Sequence, residues 1–283
     1  MDQRLTGRFA RHSRALRRSR RSRSQRAVPA TETALRFDPA APELLLSPHW
    51  DDAALGCWNL LAGSRAITIV NVFAGLPAPG HVGMWERVSG TRDSRERSER
   101  RMGEDRAILA AAGHEPVNLP LLDARYRRGQ RIGAEEIDLA LASQVQRTAR
   151  VHAPAGIGGH PDHLLVRSYA RVLLRAGIPV ELYAEPPYCV FHGWPAWVNG
   201  GEAQPNRNVD AHWESYLADV PEMSSLREAR IEHVDGAAAS AKLEAINRYE
   251  LSLNLATRRL LSEPEFHRLE VHWELRKPAQ DDR

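Results

Sequence analysis

Cys57 and Cys189 are the only two cysteines in this 283-residue chain. Two distant thiols make neither a disulfide framework nor a CxxC zinc knuckle, and a reducing cytoplasm is the expected compartment. No apolar run approaches the roughly 18–20 residues of a membrane-spanning helix. Internal repeats are absent. The N-terminal arginine pairs precede no apolar segment of the about 7–15 residues that a secretory signal needs, so none is expected. The first apolar strand is not followed by a glycine-rich dinucleotide fingerprint, which disfavours a nucleotide-binding enzyme of the Rossmann type. Ser47 stands before Pro48 outside any nucleophile elbow, and Cys57 lies in an apolar stretch where packing is its expected role.

What is present is charge, unevenly spread. Residues 1–26 hold ten arginines and one aspartate, a net +9, while the rest has 29 Lys and Arg against 35 Asp and Glu, a net −6. The high isoelectric point therefore describes the tail alone. With almost no apolar side chains to bury, residues 1–40 are expected to be a disordered Arg-rich tail and linker that can touch anionic surfaces. Nucleic acid is not required as a partner.

From residue 41 onward short apolar strands alternate with helices. Leu44–Leu46 opens a buried strand ended by Pro48, and Ala53–Ala62 has helical spacing with Gly63 as its stop. Ala66–Phe73 is a β-branched strand; Ser94–Ala112 is a long helix; Pro116–Leu121 is a third strand. Ala134–Arg150 reads as an amphipathic helix with Ile137, Leu141, Val145 and Thr148 on one face. Val151–Ala155, the helix Asp162–Ala176 and the strand Pro179–Glu185 follow. Residues 186–235 read as an irregular cap or insertion, Ala237–Leu255 as a last helix, and 261–283 as a polar tail. Such alternation predicts an α/β fold, a Rossmann-like three-layer sandwich with a mostly parallel sheet.

Two clusters carry chemistry. His49, Asp51 and Asp52 follow the first strand, and His160, Asp162 and His163 follow the fourth. In parallel α/β sheets ligands sit beyond the carboxyl ends of the strands, so the two clusters are expected on one rim. The spacing of His49 and Asp52 lets both point at one ion, and His163 completes a His/Asp/His set with a position open for water. Asp51 projects differently, as a base would. Zn2+ is the expected ion, one per chain; Fe2+ or Co2+ suits the same donors. His160 and His163 lie three apart on a turn, which lets both rings face one cavity.

These segments resemble the PIG-L/LmbE family of zinc-dependent N-deacetylases. LLLSPHWDDAALGC is similar to the family's SPHxDDxxLGCGG, GGHPDHLLV to its HPDHxxV, Arg101-Met102-Gly103-Glu104 to its RxxE segment, and Glu185-Pro186-Pro187-Tyr188 to its E-x-PY. The matches fall in family order over about residues 43–190. The resemblance implies a deacetylase domain over 41–260, zinc held by His49, Asp52 and His163, and Asp51 as general base. It also implies that His160 works as a cation on the carbonyl oxygen and leaving amine, that Asp162 orients His160, and that Arg101 (or Arg97 or Arg100) contacts substrate. The implied reaction removes an N-acetyl or N-acyl group from an amino sugar or glycoside. The alternative is a non-catalytic carbohydrate- or anion-binding protein with a degenerate site.

Overall fold

The computed structural model describes residues 33–83, 86–87, 92–201 and 208–277; the Arg-rich tail lies outside them. In chain order the strands are β1 (Arg36–Phe37), β2 (Glu43–Ser47), β3 (Ile67–Asn71), β4 (Val117–Asn118), β5 (Arg147–Thr148), β6 (Val151–Pro154), β7 (Val180–Tyr183), β8 (Arg230–His233) and β9 (Leu269–Glu274). Seven of them form one sheet ordered β4-β3-β2-β6-β7-β9-β8, while β1 and β5 pair separately. The pairings from β4 through β7 are parallel; β9 runs antiparallel to both β7 and β8. This is a mixed α/β fold with a mostly parallel sheet.

The central strands explain their own position. Leu44, Leu45 and Leu46 on β2 are fully buried, as are Val151 and Ala153 on β6 and Val180 and Leu182 on β7. Near-continuous apolar runs of this kind suit strands covered on both faces. The chain leaves β2 toward β3 and β4 on one side and returns to β6 and β7 on the other. The crevice between β2 and β6 is therefore the topological switch point, where ligands collect in open α/β sheets.

The helices are α1 (Asp52–Gly56), α2 (Trp58–Ala62), α3 (Ser94–Ala111), α4 (Ala134–Ala142), α5 (Pro161–Arg175), α6 (Ala196–Asn199), α7 (Val209–Leu217), α8 (Gly236–Arg248), α9 (Leu255–Ser262) and α10 (Pro264–His267). The apolar face of α8 packs on α1, α2 and α3, and α4 packs on α5. No helix among the described residues is long and apolar enough to cross a membrane.

Five expectations change. At 237–255 the expected helix stops at Arg248. The helix expected over 53–62 is two helices broken at Cys57, because buried Glu270 accepts hydrogen bonds from Trp58 N (2.6 Å) and Asn59 N (3.0 Å) and caps α2 from 211 residues away. The helix expected over 134–150 stops at Ala142, and Thr148 sits in β5 instead. The segment 186–235 contains α6, α7 and β8. Within the expected polar tail, α10 and β9 are ordered: Leu269, Val271 and Trp273 are buried on one face, and Glu270 on the other forms a buried ion pair with Lys242 at 2.6 Å. Alternation of apolar and polar residues is the mark of an antiparallel strand, and here Glu270 of the polar row is satisfied inside the protein.

Candidate metal centre

The first cluster is fixed at the exit of β2. Ser47 Oγ donates to the His49 carbonyl (2.6 Å) and accepts from Ala53 N (3.1 Å). Val72 N and Phe73 N donate to the carbonyls of Ser47 and Pro48, tying the turn to the neighbouring strand. Within the turn, His49 N donates to Asp52 Oδ2 at 2.8 Å, which holds the two proposed ligands together before any ion is considered.

The second cluster leaves β6 through a glycine turn. Gly158 and Gly159 have φ of +91° and +74°, and a Cβ on either would stand 2.8 Å from the Tyr188 or Tyr216 side chain. Only glycine meets both demands. His160 then caps α5: its Nδ1 accepts from Asp162 N at 3.3 Å, and Pro161 takes the first helical position. This places His163 in the first turn of α5.

The clusters converge. His49 Nδ1 lies 3.3 Å from His163 Nε2 and 3.4 Å from Asp52 Oδ2, and His163 Nε2 lies 3.4 Å from the same oxygen. An ion bonded tetrahedrally at about 2.0–2.1 Å has its ligand atoms roughly 3.3–3.4 Å apart. The three donors form such a face, and all three residues are buried. The donor set therefore fits a divalent cation, with two imidazoles and one carboxylate as ligands.

The far nitrogen of each of these two histidines meets a carboxylate. His49 Nε2 is 3.1 Å from Asp162 Oδ2 and 3.7 Å from Asp123 Oδ2; His163 Nδ1 is 3.4 Å from Glu185 Oε1. Such partners fix ring orientation and tautomer and raise ligand basicity. The carboxylates are themselves held. Asp162 accepts from Ala124 N (2.9 Å) and pairs with Arg127; Asp123 pairs with Arg125 (2.8 Å); Glu185 accepts from Ala155 N (3.1 Å). Burial alone would raise Asp123, but His49 and Arg125 outweigh it and hold the carboxyl well below its usual range. His49, Asp123 and Asp162 also approach one another closely enough to suggest an ion. There, however, Arg125 and Arg127 already supply the positive charge.

Asp51 stands beside the triangle. Burial, and next the charge of Asp52, raise its carboxyl to about 6, while Arg101 and His49 pull the other way. Its Oδ1 is 4.0 Å from Arg101 Nη2, and Arg101 lies over the Trp50 ring at 5.2 Å. Arg101 is buried.

Two expectations are corrected. Asp162 does not orient His160; it buttresses His49. Nor does His160 stand as a cation. Burial, then His49 and His163, push it down to about 2, and its Nδ1 is an acceptor of a backbone N–H, which leaves the ring neutral. It remains in the site, 4.9 Å from the His49 ring and 5.1 Å from His163 between centroids.

Sequence reasoning missed Asp123, Arg127 and the partner role of Glu185. Asp123 follows an apolar Leu121-Leu122 step but carries no motif, so no local signal marks it. Glu185 could have been found as a carboxylate at the end of a strand beside the switch point.

The fold defined here is one that known deacetylases share. A deacetylase triple mutant from the teicoplanin biosynthetic pathway superposes with a TM-score of 0.63 at 23% identity, covering 85% of this chain and 100% of the other. The zinc-inhibited form of teicoplanin deacetylase Orf2 gives 0.59 at 21% (84% and 99%), and the A40926 pseudoaglycone deacetylase Dbv21 gives 0.59 at 24% (86% and 100%). In sequence, the chain is similar to the 2'-N-acetylparomamine deacetylase of Streptomyces fradiae, 34% identical over 166 residues. That match takes in 51% of this chain and 57% of the relative. No family model matches. The chain is thus similar in sequence to one deacetylase over about half the length of each, and shares its fold with others.

Proposed function

We propose that this protein is a metal-dependent N-deacetylase on a Rossmann-like three-layer scaffold, releasing acetate and a free amine from an N-acetylated (or N-acylated) amino sugar or glycoside. The observation that carries this reading is the triangle of His49 Nδ1, His163 Nε2 and Asp52 Oδ2 with Asp51 at its side. The relatives' names, paromamine for one and teicoplanin for others, support an acetylated sugar borne on a larger natural product as the substrate class. An anion- or sugar-binding protein with a degenerate site would not need the ligand face, its outer carboxylates and a buried base together.

His49, Asp52 and His163 would hold the ion, with zinc the best match to two imidazoles and a carboxylate and Fe2+ or Co2+ as substitutes. When bound, the ion polarises the amide carbonyl and brings the pKa of water to about 7. Asp51 accepts the proton of the attacking water as its oxygen bonds to the carbonyl carbon. A base whose own value lies near the working pH can afterwards release that proton to the leaving nitrogen as the C–N bond breaks. His160, neutral with Nδ1 engaged, carries its hydrogen on Nε2 and donates it as a hydrogen bond to the carbonyl oxygen, where negative charge develops.

The test is metal analysis of the purified full chain together with acetate release from a panel of N-acetylated amino sugars. One equivalent of divalent metal and acetate release abolished by chelation are expected. Metal-loaded protein that releases no acetate from any panel member would overturn the reading.

A further inference from the structure

Helix α3 buries charge where helices usually bury apolar side chains. Arg101 and Asp105 are 7% and 1% exposed, and with Arg97 and Glu104 they fall at positions 0, 4, 7 and 8 along the helix, one face of it. Every member of this face grips the turn that follows α8. Glu104 Oε1 accepts from Glu250 N (2.8 Å) and Leu251 N (3.0 Å), and Oε2 accepts from Ser252 N (3.3 Å). Arg97 Nη2 donates to the Leu251 carbonyl at 2.7 Å. Asp105 accepts from the Tyr249 hydroxyl at 2.8 Å and, on its other oxygen, from Asn71 Nδ2 at 2.8 Å. Three successive backbone N–H groups converging on one carboxylate make a nest, a strong and directional grip.

The turn returns the grip at one point. Arg101 Nε donates to Ser252 Oγ at 3.1 Å. The guanidinium is thereby held from one side by Ser252 and from below by the Trp50 ring at 5.2 Å, and its Nη2 faces Asp51 Oδ1 at 4.0 Å. Trp50 is in turn anchored through Nε1 to Asn118 Oδ1 at 3.1 Å, and Asn118 accepts from Asn71. A buried guanidinium is costly unless its partners are placed for it. Here they are supplied by a turn about 150 residues away from the helix that carries it.

We propose that the turn 249–252 belongs to the catalytic apparatus, with Ser252 and Glu104 as positioning residues. Glu104 sets the turn, Ser252 sets Arg101, and Arg101 sets the Asp51 carboxylate that accepts the proton. The inference rests on the proposed deacetylation for the role of Asp51. It predicts that Ser252 acts on the chemical step through Asp51 rather than on substrate affinity.

The experiment compares wild type with Ser252→Ala, Ser252→Thr and Glu104→Gln in the full chain, measuring kcat and KM for acetate release, metal content, Tm and amide hydrogen exchange over 250–252. Ser252→Ala is expected to lower kcat roughly tenfold, below the 10²-fold effect of a full 1 Å misplacement, with KM, metal content and Tm unchanged. Ser252→Thr, which keeps the hydroxyl, restores kcat. Glu104→Gln speeds exchange at 250–252 and lowers kcat at unchanged metal content. A rise in KM at wild-type kcat in Ser252→Ala would overturn the proposal by assigning the turn to substrate binding. So would wild-type kcat in Glu104→Gln despite faster exchange. A wild-type protein that releases no acetate defeats the proposed reaction itself; an active wild type matched in kcat by Ser252→Ala defeats this positioning role alone.

Discussion

Histidine–carboxylate clusters stand at opposite ends of the sheet's central strands, and these two are built on opposite rules. At the amino end, Glu43 on β2, His152 on β6 and Glu181 on β7 stand side by side. His152 Nε2 meets Glu43 at 2.7 Å, its Nδ1 meets Glu181 at 3.2 Å, and Arg230 on β8 takes the remaining Glu181 oxygen. Each imidazole nitrogen faces an acid, so the ladder is neutralised from within. At the carboxyl end, the outward nitrogens of His49 and His163 face separate acids, Asp162 and Glu185. Their inward nitrogens face each other and one shared oxygen of Asp52. Both clusters pair imidazoles with carboxylates. Direction separates them: a ladder of alternating charges stabilises the fold, whereas convergent donors call for a cation from outside.

The comparison can be broken most severely at the ligands. His163→Ala, or Asp52→Ala, should empty the centre of metal and abolish acetate release while leaving the sheet folded, as read by metal analysis and circular dichroism. Retention of full metal by either variant would move the ion elsewhere. Asp51→Asn should keep the metal and lose about 10²–10⁴-fold in turnover, the usual contribution of a positioned base. If Asp51→Asn lost the metal and Asp52→Asn kept it, the two carboxylates have exchanged roles.

Asp162→Asn should be milder. It removes the charge behind His49 but not a ligand, so metal affinity should weaken by about 10–100-fold, measured by competition with a chelator. The smallest effect on turnover, and the largest on stability, is expected from His152→Gln. Breaking a buried pair costs about 3 kcal/mol or more. Burial would lower His152, but Glu181 and Glu43 outweigh it and raise it above its ordinary 6.5. Its contribution is therefore complete below pH 6.5 and fades as pH rises through the raised value. Glu43 and Glu181 are lowered from 4.5, chiefly by His152 against the cost of burial, so theirs is present above that value and fades as pH falls. The wild-type advantage over His152→Gln should peak between pH 4.5 and 6.5, as read from denaturant midpoints across pH. A difference independent of pH would show that the ladder is held by packing rather than charge.

What the sequence disclosed was local. His49 and Asp52 sit in one turn, and Asp162 and His163 in one helical turn, so short spacing implied their neighbourhood. The apolar runs of β2, β3, β6 and β7 named the sheet, and the order of the runs named the rim. What it concealed was long-range satisfaction of polar groups. Nothing near Cys57 shows that Glu270 will cap α2, and nothing near Asp162 shows that Ala124 and Arg127 will claim it before His160 can. Strand β9 was hidden for the same reason, since half its residues are charged or polar, and Glu270 and Glu274 find their partners far away in sequence, on α2, α8 and Arg150.

That strand has a consequence for how the protein is made. β9 does not finish the sheet at an edge; it is wedged between β7 and β8, hydrogen-bonded to both. Every parallel strand and both histidine–aspartate clusters have left the ribosome long before residues 269–274 appear. Until then β7 presents a bare edge, the kind of surface that invites pairing with a foreign strand. A nascent or prematurely terminated chain ending near residue 265 would thus carry both clusters yet depend on a chaperone to stay solitary, and a bulky fusion placed close behind Glu274 would tax the one insertion that closes the domain.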